Sequence, residues 1–155
     1  SGQTFMLMFH NCSSLTYITQ PDTSRGLNFE FMFSGCSSLR TIPIIDTSSG
    51  THFSSMFQGC VNLTSIPLLD TSSGQSFNRM FYNCSSLEIA SLNGTRYMID
   101  YYHCRLSDLN ERNNIYTYLA DLNSLGLPSA TITMPTSIGE DDSIATNKGW
   151  IVNRI

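Results

Sequence analysis

Charged residues are scarce in this sequence: Asp, Glu, Lys and Arg make up 13% of its 155 residues, against about 25% in an ordinary soluble domain. The net charge is −4 and no basic stripe is present, so we do not expect nucleic acid as a partner. No apolar run approaches the length of a membrane span, so membrane insertion is not expected either.

Motifs that would carry chemistry are also missing. The five cysteines include no C-x-x-C pair, so four converging zinc ligands are not predicted. The three histidines lie in different contexts without neighbouring acids and a nucleophile, so we predict no catalytic residue and expect no enzyme. Neither a cofactor nor a metal ion is expected. The histidines are His10, His52 and His103.

The sequence does contain a strict repeat of 24 residues, with units that open at Gly2, Gly26, Gly50 and Gly74. Five apolar positions recur in all four units: Phe5, Phe29, Phe53 and Phe77; Met8, Met32, Met56 and Met80; Phe9, Phe33, Phe57 and Phe81; Cys12, Cys36, Cys60 and Cys84; and Leu15, Leu39, Leu63 and Leu87. A period of this length predicts units that stack and share one apolar core, which none could form alone. No secretion signal is visible, and the sequence starts at Ser1 directly on the repeat, without a capping segment before it. We therefore expect the C-terminal part of a longer protein, or a mature product.

Each unit predicts a short helix. Phe53, Met56 and Phe57 have the spacing i, i+3, i+4, which places them on one helical face. The helix should end at Gly59, because Gly and Asn tolerate the left-handed conformation found just past a helix end. The same position holds Asn11, Gly35 and Asn83 in the other units.

A short strand should follow, centred on residues 65–69, with Ile66 and Leu68 pointing inward and Leu69 outward. The Asp-Thr-Ser that comes next, at 22–24, 46–48 and 70–72, is typical of a turn, because these side chains bond to their own backbone. A calcium site is the alternative for the aspartates, but each unit supplies only one carboxylate and no Gly-rich acidic loop.

The array ends in a degenerate fifth unit, which begins early at Gly94. Tyr97 and Tyr101 replace its two phenylalanines, and Asp100 replaces its methionine, which is costly unless the carboxylate is paired or exposed. Residues 1–106 form the predicted repeat region and residues 107–155 a capping segment. The cap should contain a helix from Ser107 and Asp108 to about residue 122, a strand at 130–134, a short helix at 144–148 and a strand at 150–152. Trp150, the single tryptophan, should close the open end of the core.

The cysteines recur at a fixed offset, which predicts a column of reduced, buried side chains that act in packing. Neighbouring units lie roughly 5 Å apart, so disulfides between them remain an alternative.

The combination M-F-x-x-C-S-S-L followed by I-P-x-L-D-T-S resembles the BspA-like leucine-rich repeats of bacterial surface proteins and related phage proteins. The resemblance covers residues 2 to about 106, and the tail is similar to the segment that often closes such arrays. It implies an α/β fold, a leucine-rich-repeat-like solenoid of short strands and helices with a C-terminal α/β cap. It also implies an extracellular, cell-surface or virion location and a role in binding or adhesion.

Side chains that point outward from the strands are the best candidates for binding. They form three columns: Tyr17, Thr41 and Ser65; Thr19, Pro43 and Pro67; and Pro21, Ile45 and Leu69. An exposed strip of Ile45, Leu69 and the two central prolines would exceed the scattered apolar background of a surface. Ordinary packing under loops or a partner chain is the alternative for this strip.

We expect a non-enzymatic adhesion or recognition module, on a cell surface or at a phage fibre tip, that binds a protein or a glycan. The alternative is a structural subunit of a virion appendage, such as a tail fibre, or of a filament, whose flat sides mediate assembly. Self-association through the open N-terminal edge of the solenoid would accompany that role.

Overall fold

The computed structural model describes residues 2–106, 109–135 and 141–155. In these ranges the structure is mixed α/β, with two helices and seven short strands. The helices are Leu109–Tyr118 (α1) and Ser143–Asn147 (α2). The strands are Gln3–Thr4 (β1), Gly26–Asn28 (β2), Leu69–Asp70 (β3), Leu92–Asn93 (β4), Ile99–Asp100 (β5), Ala130–Met134 (β6) and Trp150–Arg154 (β7). All pairings are parallel: β1 with β2, β3 with β4, and β6 between β5 and β7.

The segment predicted as a helix in each unit is a chain of turns instead. In the third unit, the N–H of Met56 donates to the carbonyl of Phe53, a three-residue turn. Ser55 lies between them with φ +56°, a left-handed conformation that a right-handed α-helix does not contain. The helix prediction is therefore wrong, although the left-handed conformation predicted at Gly59 is confirmed, with φ +75°. Its counterparts Asn11, Gly35 and Asn83 are left-handed as well.

Alternate backbone N–H groups of this turn segment donate to the next unit. The pairs in the third unit are Phe53 with Ser76, Ser55 with Asn78, Phe57 with Met80 and Gly59 with Tyr82, at N···O distances between 2.8 and 3.0 Å. The first and second units bond to their successors at the same positions. This ladder explains why turns replace a helix, because half of the N–H groups are committed to the neighbouring unit and cannot bond four residues back.

The apolar side chains of successive units meet in one continuous core. Two columns of parallel aromatic rings run through it, with centroids between 5.1 and 5.9 Å apart. One column contains Phe5, Phe29, Phe53 and Phe77, and the other contains Phe9, Phe33, Phe57, Phe81 and Tyr101. The same cluster of buried residues continues to Trp150, so the predicted shared core is confirmed.

The strand segment differs from its prediction by one residue. Leu69 is buried with Ile66, whereas Leu68 is exposed, so the predicted directions of Leu68 and Leu69 were wrong. A bridge forms at Ser65 and a strand only at Leu69–Asp70. Pro67 lies between them and has no N–H for a ladder bond, so the chain does not keep the two-residue alternation of a continuous strand.

The Asp-Thr-Ser segments form the predicted turns. The N–H of Ser48 donates to Asp46 Oδ1 at 3.0 Å, and the N–H of Ser72 donates to Asp70 Oδ1 at 2.9 Å. Between them, the buried Thr47 hydroxyl donates to the carbonyl of Asp70 in the next unit at 2.8 Å. Each turn is therefore closed by its own aspartate, and the threonines Thr47 and Thr71 tie their turns to the next unit, whereas the buried hydroxyl of Thr23 has no partner within the described residues.

The fifth unit continues only part of the stack. Tyr101 extends the second aromatic column beyond Phe81, as its offset predicts, with 5.1 Å between the ring centroids. Tyr97 does not extend the first column and is half exposed. Asp100 is exposed and accepts the N–H of Tyr102, so its carboxylate does not enter the core.

The buried carboxylate of Glu111 on α1 closes the other side of the fourth unit. Its Oε1 accepts the N–H of Ala90 at 3.0 Å and the hydroxyl of Ser91 at 2.9 Å. Ala90 and Ser91 have the offsets of Ile66 and Pro67, so they lie where the fourth unit has lost the proline. Helix α1 thus satisfies polar groups that a complete fifth unit would have covered.

The capping segment follows its prediction in outline. Ser107 and Asp108, predicted as the helix start, lie outside the described residues, and α1 ends at Tyr118 rather than near residue 122. At that end, the carbonyl of Tyr118 accepts the N–H of Gly94, at an N···O distance of 2.8 Å, instead of an N–H group of a further helical turn. Trp150 is buried, and its indole N–H donates to the carbonyl of Ala120 at 3.0 Å, which confirms its predicted place in the core.

Candidate functional site

The exposed side of the strand segment is the candidate site, and we call it the strand face. Its backbone is held by parallel bridges from Thr41 to Ser65 and from Ser65 to Ile89. Tyr17 has the same offset in the first unit and is 75% exposed. The complete strand face consists of Tyr17, Thr41, Pro43, Ile44, Ser65, Pro67, Leu68 and Ile89.

An apolar strip runs along this face, but not through the residues predicted. Ile44 is 70% exposed and Leu68 is 47% exposed, and they hold equivalent positions in adjacent units. The predicted members Ile45 and Leu69 are buried in the core, so their assignment to the surface is corrected. Each exposed residue is followed by a buried apolar one, so each unit has a doublet of two aliphatic residues that are too alike to show which faces inward. The proline just before each doublet, which breaks the alternation, was the only sequence signal.

Backbone hydrogen bonds fix the spacing of the strand face. The N–H of Thr64 donates to the carbonyl of Arg40, and that of Glu88 to the carbonyl of Thr64, both at 2.9 Å. The Ile66 N–H donates to the carbonyl of Ile89 at the same distance. Glu88 also forms an exposed ion pair with Arg105 at 3.7 Å, which contributes little to stability. The face is therefore a rigid and nearly neutral surface.

The cysteine column is not a reactive site. Four of the five thiols are buried and free, and Cys12 is free and exposed. The Sγ of Cys60 donates to the carbonyl of Phe33 in the preceding unit at 3.1 Å. Burial raises the pKa of the Cys36 thiol to about 11 and raises the pKa of Cys60 further. Because the thiolate is the reactive form, these groups act in packing, as predicted for the buried members of the column.

The recurring aspartates Asp22 and Asp46 have lowered pKa values, as expected for carboxylates that close turns. Hydrogen bonds from the hydroxyl and the N–H of Ser48 lower the pKa of Asp46, and Ser24 lowers the pKa of Asp22 in the same way. In the three described ranges, no three His, Cys, Asp or Glu side chains converge as metal ligands would. Neither described helix has the length and apolar character of a membrane span.

A second exposed feature, which we did not predict, is a group of aromatic rings at the end of the repeat region. His103 lies 4.5 Å from Tyr82 and 4.7 Å from Tyr102, centroid to centroid, with edge-to-face geometry. The guanidinium of Arg79 lies 5.8 Å from the ring of Tyr82. Tyr82 and Tyr102 share one offset in the fourth and fifth units, so the repeat alignment itself was the missed signal.

Comparison with known proteins gives one family. The family model described as BspA type Leucine rich repeat region, with 6 copies, matches residues 6–124. This confirms the resemblance seen in the repeat motifs. No curated protein and no solved structure matches the chain.

Proposed function

Since the chain belongs to the BspA type leucine-rich repeat family, we propose that it is a non-enzymatic recognition module, displayed on a cell surface or at a phage fibre tip, that binds a protein through the strand face. Repeats of this family suggest a surface binding module and imply a repeat solenoid. The hydrogen-bond ladder and the continuous core support that architecture. In the proposal, the solenoid is a rigid scaffold that presents side chains at a fixed spacing.

The exposed pair of Ile44 and Leu68 is the observation that carries this proposal. Large aliphatic side chains exposed at equivalent positions of adjacent units form a contiguous strip rather than scattered background. Prolines at 43 and 67 stiffen the backbone beside them, and Thr41 and Ser65 add small polar groups. An apolar centre with a neutral polar rim is the usual composition of a protein–protein interface.

The double substitution Ile44→Asp with Leu68→Asp tests this function. We expect it to abolish binding to those members of an array of purified extracellular proteins that the unchanged protein captures, with the circular dichroism spectrum unchanged. Leu125→Asp with Ile151→Asp is the matched control, because both residues are exposed aliphatics in the cap. Capture that survives the first pair, or that is lost equally with the second, contradicts a role for the strand face.

A structural filament or virion subunit is the second candidate, and the side of the first unit that faces away from the second is where a further unit could add. Met6, Leu7 and Met8 are exposed there. Within the part of the chain that the structure describes, the carbonyls of Met6, Met8 and His10 accept no hydrogen bond, although their equivalents in the second unit do. In this candidate, these carbonyls accept from backbone N–H groups of a further unit, which either a second copy or an earlier part of the same protein would supply.

Sedimentation velocity without added ligand separates the two candidates. A structural subunit forms larger species as its concentration rises, and Met8→Asp should reduce them. A recognition module stays at one size over the same range of concentration.

A further inference from the structure

In the turn segment, the hydrogen-bond ladder between units stops at the fourth unit and leaves a seam, although the N–H of Arg105 still donates to the carbonyl of Leu87 at 2.8 Å. Gly94 follows Gly74 by 20 residues, whereas the earlier units are 24 residues long. Instead of pairing with the fourth unit, β5 pairs with β6. Within residues 2–106, 109–135 and 141–155, the N–H groups of Phe77 and Arg79 donate no hydrogen bond, although their equivalents Phe53 and Ser55 do. In the same ranges, the N–H groups of Phe81 and Asn83 donate none either, so the ladder is interrupted at all four positions of the fourth unit. Phe77 and Arg79 are the two of these donors that line a cavity.

The seam opens as a wedge. It is closed where Phe81 and Tyr101 stack, 5.1 Å apart. It is open where Tyr97 fails to stack on Phe77, and there Tyr97 is 50% exposed and Met98 is 58% exposed. Three neighbouring cavities of about 430, 230 and 120 Å³ share Met98 as a lining residue.

The lining of these cavities combines apolar surface with polar groups of both kinds. Tyr97 and Met98 supply an aromatic ring and a thioether, and Leu127 and Pro128 extend the apolar wall of the largest cavity. Asp100 supplies a carboxylate acceptor in the smallest cavity. The remaining polar side chains are Gln75, Ser76, Asn78, Arg79, Arg96, Ser129, Thr131 and Thr133. A ligand that fits must both accept and donate hydrogen bonds and must also present an apolar face.

We propose that the seam binds a saccharide. Sugar hydroxyls accept from the N–H groups of Phe77 and Arg79 and donate to the carboxylate of Asp100, while the C–H face of a pyranose packs on the ring of Tyr97. Small-ligand sites have this composition, mostly apolar walls with a few placed polar groups. This site is separate from the strand face and does not depend on the protein-binding function proposed for that face.

Other ligand classes fit the seam less well. A purely apolar ligand would leave the N–H groups of Phe77 and Arg79 without acceptors and would shield from water the carboxylate of Asp100, which accepts only the N–H of Tyr102 within the described residues. This is costly. A small anion would meet the carboxylate of Asp100 beside the same donors. An extended peptide needs a continuous free strand edge, but the seam closes at Phe81 and Tyr101 within one unit of spacing.

Saturation-transfer-difference NMR with methyl glycosides of a hexose, a deoxyhexose and an N-acetylhexosamine tests the proposal on the whole chain. We expect at least one glycoside to bind, and Tyr97→Ala to weaken it about tenfold, as loss of one aromatic contact and its buried area implies. Tyr97→Phe should bind within about twofold of the unchanged protein, because the ring is kept. Asp100→Ala should also weaken binding, because the carboxylate acceptor is lost.

Two controls make the result decisive. Tyr118→Ala removes another exposed tyrosine, outside the seam, and should leave glycoside binding unchanged. The strand-face variant Ile44→Asp with Leu68→Asp should also retain it, which separates this site from the proposed protein-binding function. The proposal is overturned if no glycoside binds, if binding survives both Tyr97→Ala and Asp100→Ala, or if Tyr118→Ala weakens it equally.

Discussion

Phe57→Ala should strongly destabilise the protein, as a representative of the rings in the aromatic columns that are fully buried and stacked on both sides. Its ring is fully buried and stacks on both sides, 5.5 Å from Phe33 and 5.9 Å from Phe81. Truncation of a buried phenylalanine to alanine costs about 3 to 5 kcal/mol, from lost transfer free energy and the cavity left behind. We expect the upper part of this range, because close neighbours on both faces of the ring limit the collapse of the cavity. Against a total stability of about 5 to 15 kcal/mol, this is a large fraction.

Phe9→Ala is the matched control, since Phe9 holds the same offset in the first unit. Its ring is only partly buried and stacks on one side, 5.4 Å from Phe33. We expect its loss to cost about 1 to 2 kcal/mol, near the transfer term alone. Urea unfolding should be followed by circular dichroism and by fluorescence of Trp150, the only tryptophan, which lies in the cap. Equal costs for the two variants, or a cost below about 1 kcal/mol for Phe57→Ala, would refute the shared core.

Three further predictions follow from single contacts. Leu69→Asp should prevent folding, because it buries an unpaired carboxylate. Leu68→Asp, at the exposed neighbour, should change the free energy of unfolding by less than about 0.5 kcal/mol. Similar circular dichroism melting curves for the two variants would contradict the corrected register. Glu111→Ala should lower the free energy of unfolding, measured in urea, by about 1 to 3 kcal/mol, because it removes the acceptor of a buried N–H and a buried hydroxyl. Glu111→Gln should recover part of this loss. An unchanged free energy of unfolding for Glu111→Ala would show that water replaces the carboxylate. Iodoacetamide at pH 8 should label Cys12 in the folded protein, because its thiol is exposed. Cys60, whose thiol pKa is raised by burial, should be labelled only after unfolding. Rapid labelling of Cys60 in the folded protein would refute its burial.

The repeat register could be read from the sequence because one offset carries one side-chain type in all four units. Strict recurrence placed the phenylalanines in columns, and the single tryptophan, Trp150, was rightly placed in the core. Local residue chemistry identified the left-handed residue at Gly59 and the turn at Asp46. These features depend on local chemistry or on simple periodicity. Both are visible in a single chain.

Two features could not be read in the same way, because they depend on where backbone N–H groups find partners. The spacing of Phe53, Met56 and Phe57 fits a helix and a chain of three-residue turns equally well, and only bonding to the next unit decides between them. The doublet of Leu68 and Leu69 likewise satisfies either direction. Its outcome was set by Pro67, which interrupts the ladder beside it. The candidate strip was therefore placed on the correct segment but on the wrong member of each doublet.

The early start at Gly94 has a consequence for how such a molecule can vary in length. Because the fifth unit is fused to the cap through β5 and β6, a duplicated unit can be accommodated only ahead of the fourth. Each duplication of the second or third unit would lengthen the array by about one ring spacing, 5.5 Å, and add one aliphatic residue to the outer strip. The seam between the fourth and fifth units, with the saccharide site proposed for it, would stay unchanged, so copy number could change the length of the array without altering this site.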